Sequence, residues 1–468
     1  MEIKKYASVA VVLIIAAVLA EVADLSNVGL VMGSRSANAQ PTAIYHAFNQ
    51  NYAEIETFAC GLAEQGYSHL QISPAQQSNP GNEWWKRYQP YDLSVIDGLG
   101  TERDLQQLVE TAHSCDLKII ADVVLNHMAN LDGGEAFENL EKYPNLMPSD
   151  FHTNPNNVGA RLCSISYSDG NRDSELSCWL GGLPDLRFTE NVKSIQKAHL
   201  KKLLDLGVDG FRFDAAKHIP TEVVSEYIDY INEQSNGSTW NYLEVISDSD
   251  TQAEDYNFIA AVTDFVLYND MKSAFTYGGD VRSLPADAID DPRSVTFGSN
   301  HDTVRSLNSD ALNPYEEVSD SYLATAYVLA RESGTPLVFS ADHAITPFIK
   351  SGVKFRQIMK QRQQEGLNTK ETILRVIDSD TVLFMERGAE GFFVENKGAS
   401  TFDSPTLDLT LSNLEGCYRE IRHGFTVAIE QREGKKFVTR WGSWERGGIE
   451  VKGRDALYFV REPFELCF

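Results

Sequence analysis

The chain has 468 residues, 42% of them hydrophobic, and a formal net charge of −26 at neutral pH. That length supports a large buried core and more than one domain, although a single barrel can use most of it. The acidic balance argues against a nucleic-acid partner, because such a surface repels phosphates instead of displacing their counterions.

At the N-terminus, Lys4 and Lys5 precede an apolar run from Ala7 to Ala20, and Ala37-Asn38-Ala39 offers a small-residue cleavage site before Gln40. This is the pattern of an export signal over residues 1–39, with Val18-Leu19-Ala20 as a second candidate site and an uncleaved anchor as the alternative. No later segment has 18 consecutive apolar residues, so no stable membrane insertion is expected after cleavage. The expected destination is the periplasm or the medium, and the expected state a monomer. Six cysteines in an exported chain permit three disulfides with 15 connectivities. Pairing Cys60 with Cys115, Cys163 with Cys178 and Cys417 with Cys467 keeps each pair within one predicted region; buried free thiols are the alternative.

Apolar, β-rich runs then alternate with amphipathic helical ones. The predicted strands are Ala43 to Phe48, Ser68 to Ser73, Lys118 to Val124, Val208 to Phe213, Tyr242 to Ile246, Ala261 to Phe265, Ser294 to Phe297 and Pro336 to Ser340. Eight strands with helices between them, such as Glu102 to His113 and Thr189 to Leu206, imply an α/β fold, a (β/α)₈ TIM barrel. The stretch 128–184, rich in Asn, Asp, Gly, Ser and Pro, is too long for a βα loop and reads as a small insertion after the third strand. From Glu371 onward short alternating runs replace the helical pattern, which implies a C-terminal all-β sandwich over 371–468. The barrel then comprises residues 40–127 and 185–370.

Acidic residues stand where barrel strands end. In Val208 to Asp214 the faces alternate, so Arg212 and Asp214 point into the barrel while Phe211 and Phe213 face the helices. A fixed cation beside Asp214 would keep that carboxylate ionised; a purely structural ion pair is the plainer alternative. Glu244, in Tyr242-Leu243-Glu244-Val245-Ile246, has apolar sequence neighbours that would hold its proton by desolvation, where a lone glutamate would otherwise be an exposed loop acid.

Together, Asp122-Val123-Val124-Leu125-Asn126-His127, Gly210-Phe211-Arg212-Phe213-Asp214, Tyr242-Leu243-Glu244-Val245-Ile246 and Ser299-Asn300-His301-Asp302 resemble the four sequence regions of the α-amylase family, glycoside hydrolase family 13. The resemblance covers Thr42 to Ala344 well and the C-terminal region loosely. It implies Asp214 as nucleophile, Glu244 as general acid/base and Asp302 as a third carboxylate that binds the distorted sugar. His127 and His301 correspond to the family's paired histidines, and Lys217 and His218 to positions on the leaving-group side. Asn82-Glu83-Trp84-Trp85-Lys86-Arg87-Tyr88-Gln89-Pro90 resembles a signature of animal-type and some bacterial α-amylases. There Trp85 and Tyr88 would offer flat faces to sugars and Gln89 an amide, with Arg212 also in the substrate set and Trp84 packed in the core.

The resemblance further implies a structural Ca²⁺ held by Asn126, Asp185 and the carbonyl of His218, ligands of the oxygen type that this ion prefers. Chloride is not expected. Arg212 and Asn300 match two positions of the animal-type chloride site, but the third, basic position falls near Leu337. The implied activity is α-amylase, the retaining endo-hydrolysis of α-1,4-glucosidic bonds in starch, glycogen and maltooligosaccharides. The alternatives are a maltooligosaccharide-forming or transglycosylating enzyme with the same triad, and a silent carbohydrate-binding barrel, against which all three acids speak.

Overall fold

The computed structural model describes residues 40–131, 140–153, 163–284, 288–289, 292–305, 320–374, 379–403, 409, 412–432, 434–439 and 449–467. The export signal read over residues 1–39 lies outside them. No helix among the described residues is long and apolar enough to cross a membrane.

Eight parallel strands close on themselves: β1 (Ile44–Ala47), β2 (His69–Ile72), β3 (Lys118–Val124), β4 (Gly210–Asp214), β5 (Tyr242–Leu243), β6 (Ala261–Thr263), β7 (Ser294–Thr296) and β8 (Thr335–Phe339). β1 pairs with both β2 and β8, which completes the TIM barrel. Buried on both faces, these strands are rich in apolar residues, as parallel strands covered by helices tend to be, with polar residues such as His46, Gln71, Asp122 and Arg212 interposed. Most of the strands are shorter than their predicted ranges, and in two of them side-chain hydrogen bonds mark the end. β4 starts at Gly210, since Asp209 is turned to side-chain work, its carboxylate accepting from the Ile119 amide and from His113. β5 ends at Leu243, because Val245 gives its amide to Thr263 Oγ1 instead of to a ladder carbonyl.

Around the barrel, helix α1 (Glu102–Ser114) starts at a capping box between Thr101 and Asp104 and buries Leu105, Leu108, Val109 and Ala112, one stripe at three- and four-residue spacing. Helix α2 (Glu190–Asp205) is capped by Thr189 and buries Val192, Leu200 and Leu203. Helices α3 (Asp320–Ala330) and α4 (Pro347–Gln364) complete the side that meets the C-terminal region.

The chain leaves the barrel after β3 and returns beside its own point of exit. His127 bridges Asp185 and Phe151 bridges Leu186, both antiparallel, and Met128 N–H donates to the Pro184 carbonyl at 2.9 Å. Between these feet a small separate core gathers Met128, Leu140, Tyr143, Phe151 and Trp179.

The C-terminal region is a seven-stranded antiparallel sheet. Its strands are β9 (Glu371–Leu374), β10 (Val382–Arg387), β11 (Gly391–Asn396), β12 (Gly416–Glu420), β13 (Thr426–Arg432), β14 (Lys435–Thr439) and β15 (Asp455–Glu462), in the order β9-β10-β11-β15-β12-β13-β14. Alternation sorts its two faces. Leu383, Met385, Phe393, Ala456, Tyr458 and Val460 join the barrel core, while Val382, Phe384, Phe392, Val394, Leu457 and Phe459 form a second core. The second face is roofed by Leu409, Leu414 and the short ribbon Phe402–Asp403 with Glu450–Val451, which gives the expected second layer. The three disulfides join Cys60 to Cys115, Cys163 to Cys178 and Cys417 to Cys467.

Candidate active site

The barrel register brings the acids together. Asp122 of β3 lies opposite Arg212 of β4, and Val124 opposite Asp214. Phe211 and Phe213 point outward and are fully buried in the core, so Arg212 and Asp214 are left facing the barrel mouth. Arg212 Nη1 donates to both oxygens of Asp122, at 2.9 and 2.8 Å, and to Asp214 Oδ1 at 2.8 Å, while Nη2 pairs with Glu244 Oε1. One guanidinium thus ties three carboxylates from three adjacent strands.

Glu244 is fixed from its other side as well. Ala215, directly after Asp214, adopts a left-handed conformation (φ 47°) and gives its N–H to Glu244 Oε2 at 2.9 Å. A non-glycine residue held there carries backbone strain, of the kind found where a site must aim a group. Asp302 stands at the start of the short helix His301–Arg305, its amide capped by Asn300 Oδ1 at 3.0 Å, and its carboxyl neighbours that of Glu244.

Three buried carboxyls and the partly buried Asp302 face a single cation, and the charges do not balance. Burial pushes the Asp122 carboxyl up to about 7 against the pull of Arg212. Burial likewise holds Asp214 well above the ordinary carboxylate range, opposed by Arg212 and reinforced by Glu244, Asp122 and Asp302. Asp302 is raised by burial, again with Arg212 opposing. Arg212 contacts Asp214 as expected, and its charge opposes the effect of burial on that carboxyl. One expectation changes here. Leu243 and Val245 do not surround the Glu244 carboxyl; strand alternation turns both into the outer core, and Arg212 and the Ala215 amide meet it instead.

Beside the acids, Tyr88 is buried and donates from Oη to Asp122 Oδ2 at 2.9 Å. Its ring stacks on His301 at 5.0 Å, and His301 stacks on Phe48 at 4.7 Å. Trp84 packs edge-on against Phe48, Tyr88 and His301, whereas Trp85 is 49% exposed. Gln89 accepts from Asn79 Nδ2 at 2.7 Å. His127 donates from Nε2 to the Tyr88 carbonyl at 3.0 Å; burial lowers its pKa to about 4, so the ring is neutral and its buried Nδ1 keeps an unused lone pair. His301 lies 3.4 Å from Asp302 through Nε2.

On the opposite side, Lys217 is built into a strut. Its ammonium donates to the Ile246 carbonyl at 3.0 Å and to Asp248, and lies 4.4 Å from the centre of the Tyr167 ring. His218 donates from Nδ1 to the Glu175 carbonyl at 2.9 Å and is held neutral by burial, with a pKa near 4. The loop after β5 also grips the insertion: Asp250 accepts from the amides of Asp169 and Gly170, and Thr251 donates to Glu175 Oε2.

Two of the three expected cation ligands, Asn126 and Asp185, meet. Asn126 Nδ2 donates to Asp185 Oδ1 at 3.1 Å, which leaves the buried Asn126 Oδ1 without a hydrogen-bond partner, and Asp185 is 1% exposed. His152 holds the other Asp185 oxygen at 2.6 Å, and burial raises this carboxyl to about 6. Among the described residues no group of three His, Cys, Asp or Glu side chains could hold a metal ion. An orphaned amide oxygen beside one buried carboxylate is a donor set for a hard, oxygen-seeking cation and suits Ca²⁺.

Sequence reasoning gave no role to Asp122, Glu175, Asp248 or Thr263. Asp122 was legible as an inward acid two residues before the strand end, but its partners come from β4 and from the loop of Tyr88.

The alpha amylase catalytic-domain model matches residues 62–283. The chain is 31% identical over 407 residues to the α-amylase of Aeromonas hydrophila, covering 77% of this chain and 85% of that one. It is 29% identical over 448 residues to the α-amylase of Thermomonospora curvata, covering 86% and 72%. In fold it resembles a variant of α-amylase I from Eisenia fetida in complex with maltohexaose (TM-score 0.75, 19% identity, 92% of this chain and 99% of that one). It also resembles the α-amylase of Geobacillus thermoleovorans complexed with acarbose (TM-score 0.65, 18% identity, 90% and 98%).

Proposed function

Because the chain belongs to the α-amylase family of glycoside hydrolases, we propose that it cuts internal α-1,4-glucosidic bonds of starch, glycogen and maltooligosaccharides with retention of configuration. The observation that carries the reading is the sharing of Arg212 by Asp214 and Glu244 at the ends of adjacent strands. Retention requires two carboxyl groups about 5 to 5.5 Å apart, one as nucleophile and one as acid, and a common guanidinium holds them as near neighbours.

In the first step an oxygen of Asp214 attacks the anomeric carbon, the glycosidic C–O bond breaks, and Glu244 protonates the leaving oxygen. In the second, Glu244 takes a proton from water, whose oxygen displaces Asp214 and restores both groups. Asp302, beside Glu244, binds the distorted ring. His127 accepts a sugar hydroxyl at Nδ1. The aromatic group of Trp85 and Tyr88, with Gln89 and His301, receives the donor-side sugars, and Lys217 and His218 border the leaving-group side. Arg212 acts on the acids, not on sugar.

Asn126, Asp185 and the His218 carbonyl are the proposed Ca²⁺ ligands, and the ion would clamp the insertion to β3 and β4. Three disulfides support export to the periplasm or medium. A leucine at position 337 supports activity without chloride.

The test follows reducing-end release and loss of iodine staining together on soluble starch, with Asp214→Asn as control. Rapid loss of staining with few new ends, absent in the variant, is the expected result. A folded protein that leaves starch unchanged refutes the reading, and cyclic or lengthened products transfer it to transglycosylation.

A further inference from the structure

The segment that carries Asp302 is seated on the protein by two contacts whose partners, Thr325 with Ser321 and Asp342, lie outside the four matched motifs. At Gly298, a Cβ would lie 2.3 Å from Thr325 N and 2.6 Å from the Ser321 carbonyl, so the chain there is pressed directly onto the backbone of α3. One residue later, Ser299 Oγ donates to Asp342 Oδ2 at 2.6 Å, and Thr325 Oγ1 lies 3.2 Å from the same oxygen. Asp342 belongs to the short helix Ser340–Ile345 that follows β8, and both it and Ser299 are buried. From this seat the chain passes into Asn300, whose Oδ1 caps the amides of Asp302 and Thr303 while its own N–H donates to Thr303 Oγ1. The run from Ser299 to Asp302 is thus held at its far end by Asn300 and at its near end by a carboxylate from the short helix after β8.

We infer that Asp342 is a positioning residue for Asp302, acting through Ser299. A buried carboxylate is a costly anchor unless it accepts hydrogen bonds, and here those bonds reach the segment that aims Asp302 at the sugar. Without the acceptor, the Ser299 hydroxyl is buried with no partner for its proton, and the segment gains freedom on the side facing β8. Displacements of about 1 Å at a reacting group lower turnover by up to about 100-fold. The inference rests on the proposed role of Asp302, and its effect belongs to the transition state, where that carboxylate grips the distorted ring, more than to ground-state binding.

The experiment compares Asp342→Leu, Asp342→Asn, Ser299→Ala and the double variant Ser299→Ala/Asp342→Leu with wild type. It measures kcat and KM on maltooligosaccharides, and inhibition by acarbose, per folded molecule. Asp342→Leu is expected to lower kcat about 10- to 100-fold, with KM within about twofold and acarbose weakened in parallel with kcat. Asp342→Asn should recover most of the loss, because its amide oxygen still accepts from Ser299. The double variant should be no worse than Asp342→Leu alone, as expected of two residues acting through one bond. If Asp342→Leu does not fold, a lowered kcat at unchanged KM in Ser299→Ala carries the same information. Unchanged kcat in both single variants, or additive losses in the double, overturns the inference. Asp302→Asn is the control: if it leaves kcat unchanged, the reading of the site fails, whereas a crippled Asp302→Asn beside a fully active Asp342→Leu sinks this inference alone.

Discussion

Arg212→Met removes the one cation from the acid cluster while keeping most of the side-chain length. Arg212 contacts Asp122, Asp214 and Glu244 and is itself buried. At charge separations near 4 Å and an effective dielectric of about 20, each pair is worth about 4 kcal/mol, roughly 12 kcal/mol gross, most of which offsets the cost of burying the ions. Deprived of the cation, the carboxyls respond by taking up protons, and the net loss of stability falls to about 3–5 kcal/mol. The loss depends on pH with a definite sign. Asp122, Asp214 and Asp302 are already raised above their unfolded values, and losing Arg212 raises them further. Between the unfolded and folded pKa the folded state binds more protons, so stability falls as pH rises. The penalty should be largest near pH 8 and shrink toward pH 5, and urea unfolding of both proteins at the two pH values, followed by fluorescence and circular dichroism, measures it. A penalty equal at both, or below about 1 kcal/mol at pH 8, would refute the view that Arg212 balances buried charge.

Calcium added to the chelator-treated protein is expected to raise its melting temperature, with a stabilisation of about 2.7 kcal/mol at 100 times the dissociation constant; Asn126→Ala and Asp185→Ala should each abolish the response, read by thermal shift. Replacing both Cys163 and Cys178 by Ser opens a cross-link 15 residues apart, worth about 3 kcal/mol in the chain-entropy account. The loss should fall on the insertion, so limited proteolysis should cut within residues 128–184 first and leave the barrel's Cys60–Cys115 region intact.

Much of this architecture lies in short-range pattern. Apolar runs located all eight barrel strands, and the alternation through Val208 to Asp214 placed Arg212 and Asp214 inside and the two phenylalanines outside. Cysteine pairing followed from keeping each pair within one predicted region. What escaped was set by partners distant in sequence. The surroundings of Glu244 come from Arg212 and from a strained Ala215, not from its own neighbours, and a local window cannot supply them. For Lys217 the motif implied a position on the leaving-group side, but not the contacts with Asp248 and Tyr167, which reach it from a loop and from the insertion. Asp342, two residues past a predicted strand end, carried no motif, and its meaning appears only when Ser299 is folded against it.

The paired bridges His127–Asp185 and Phe151–Leu186 make the foot of the insertion a splice point. Because exit and return lie side by side, β3 and β4 keep their register whatever is threaded between them, and doubling the inserted length adds only about 0.6 kcal/mol of closure entropy. The same foot carries His127 and Asn126, so a change of insert would act on the proposed sugar contact and cation site while leaving the pairing of β3 with β4 in place.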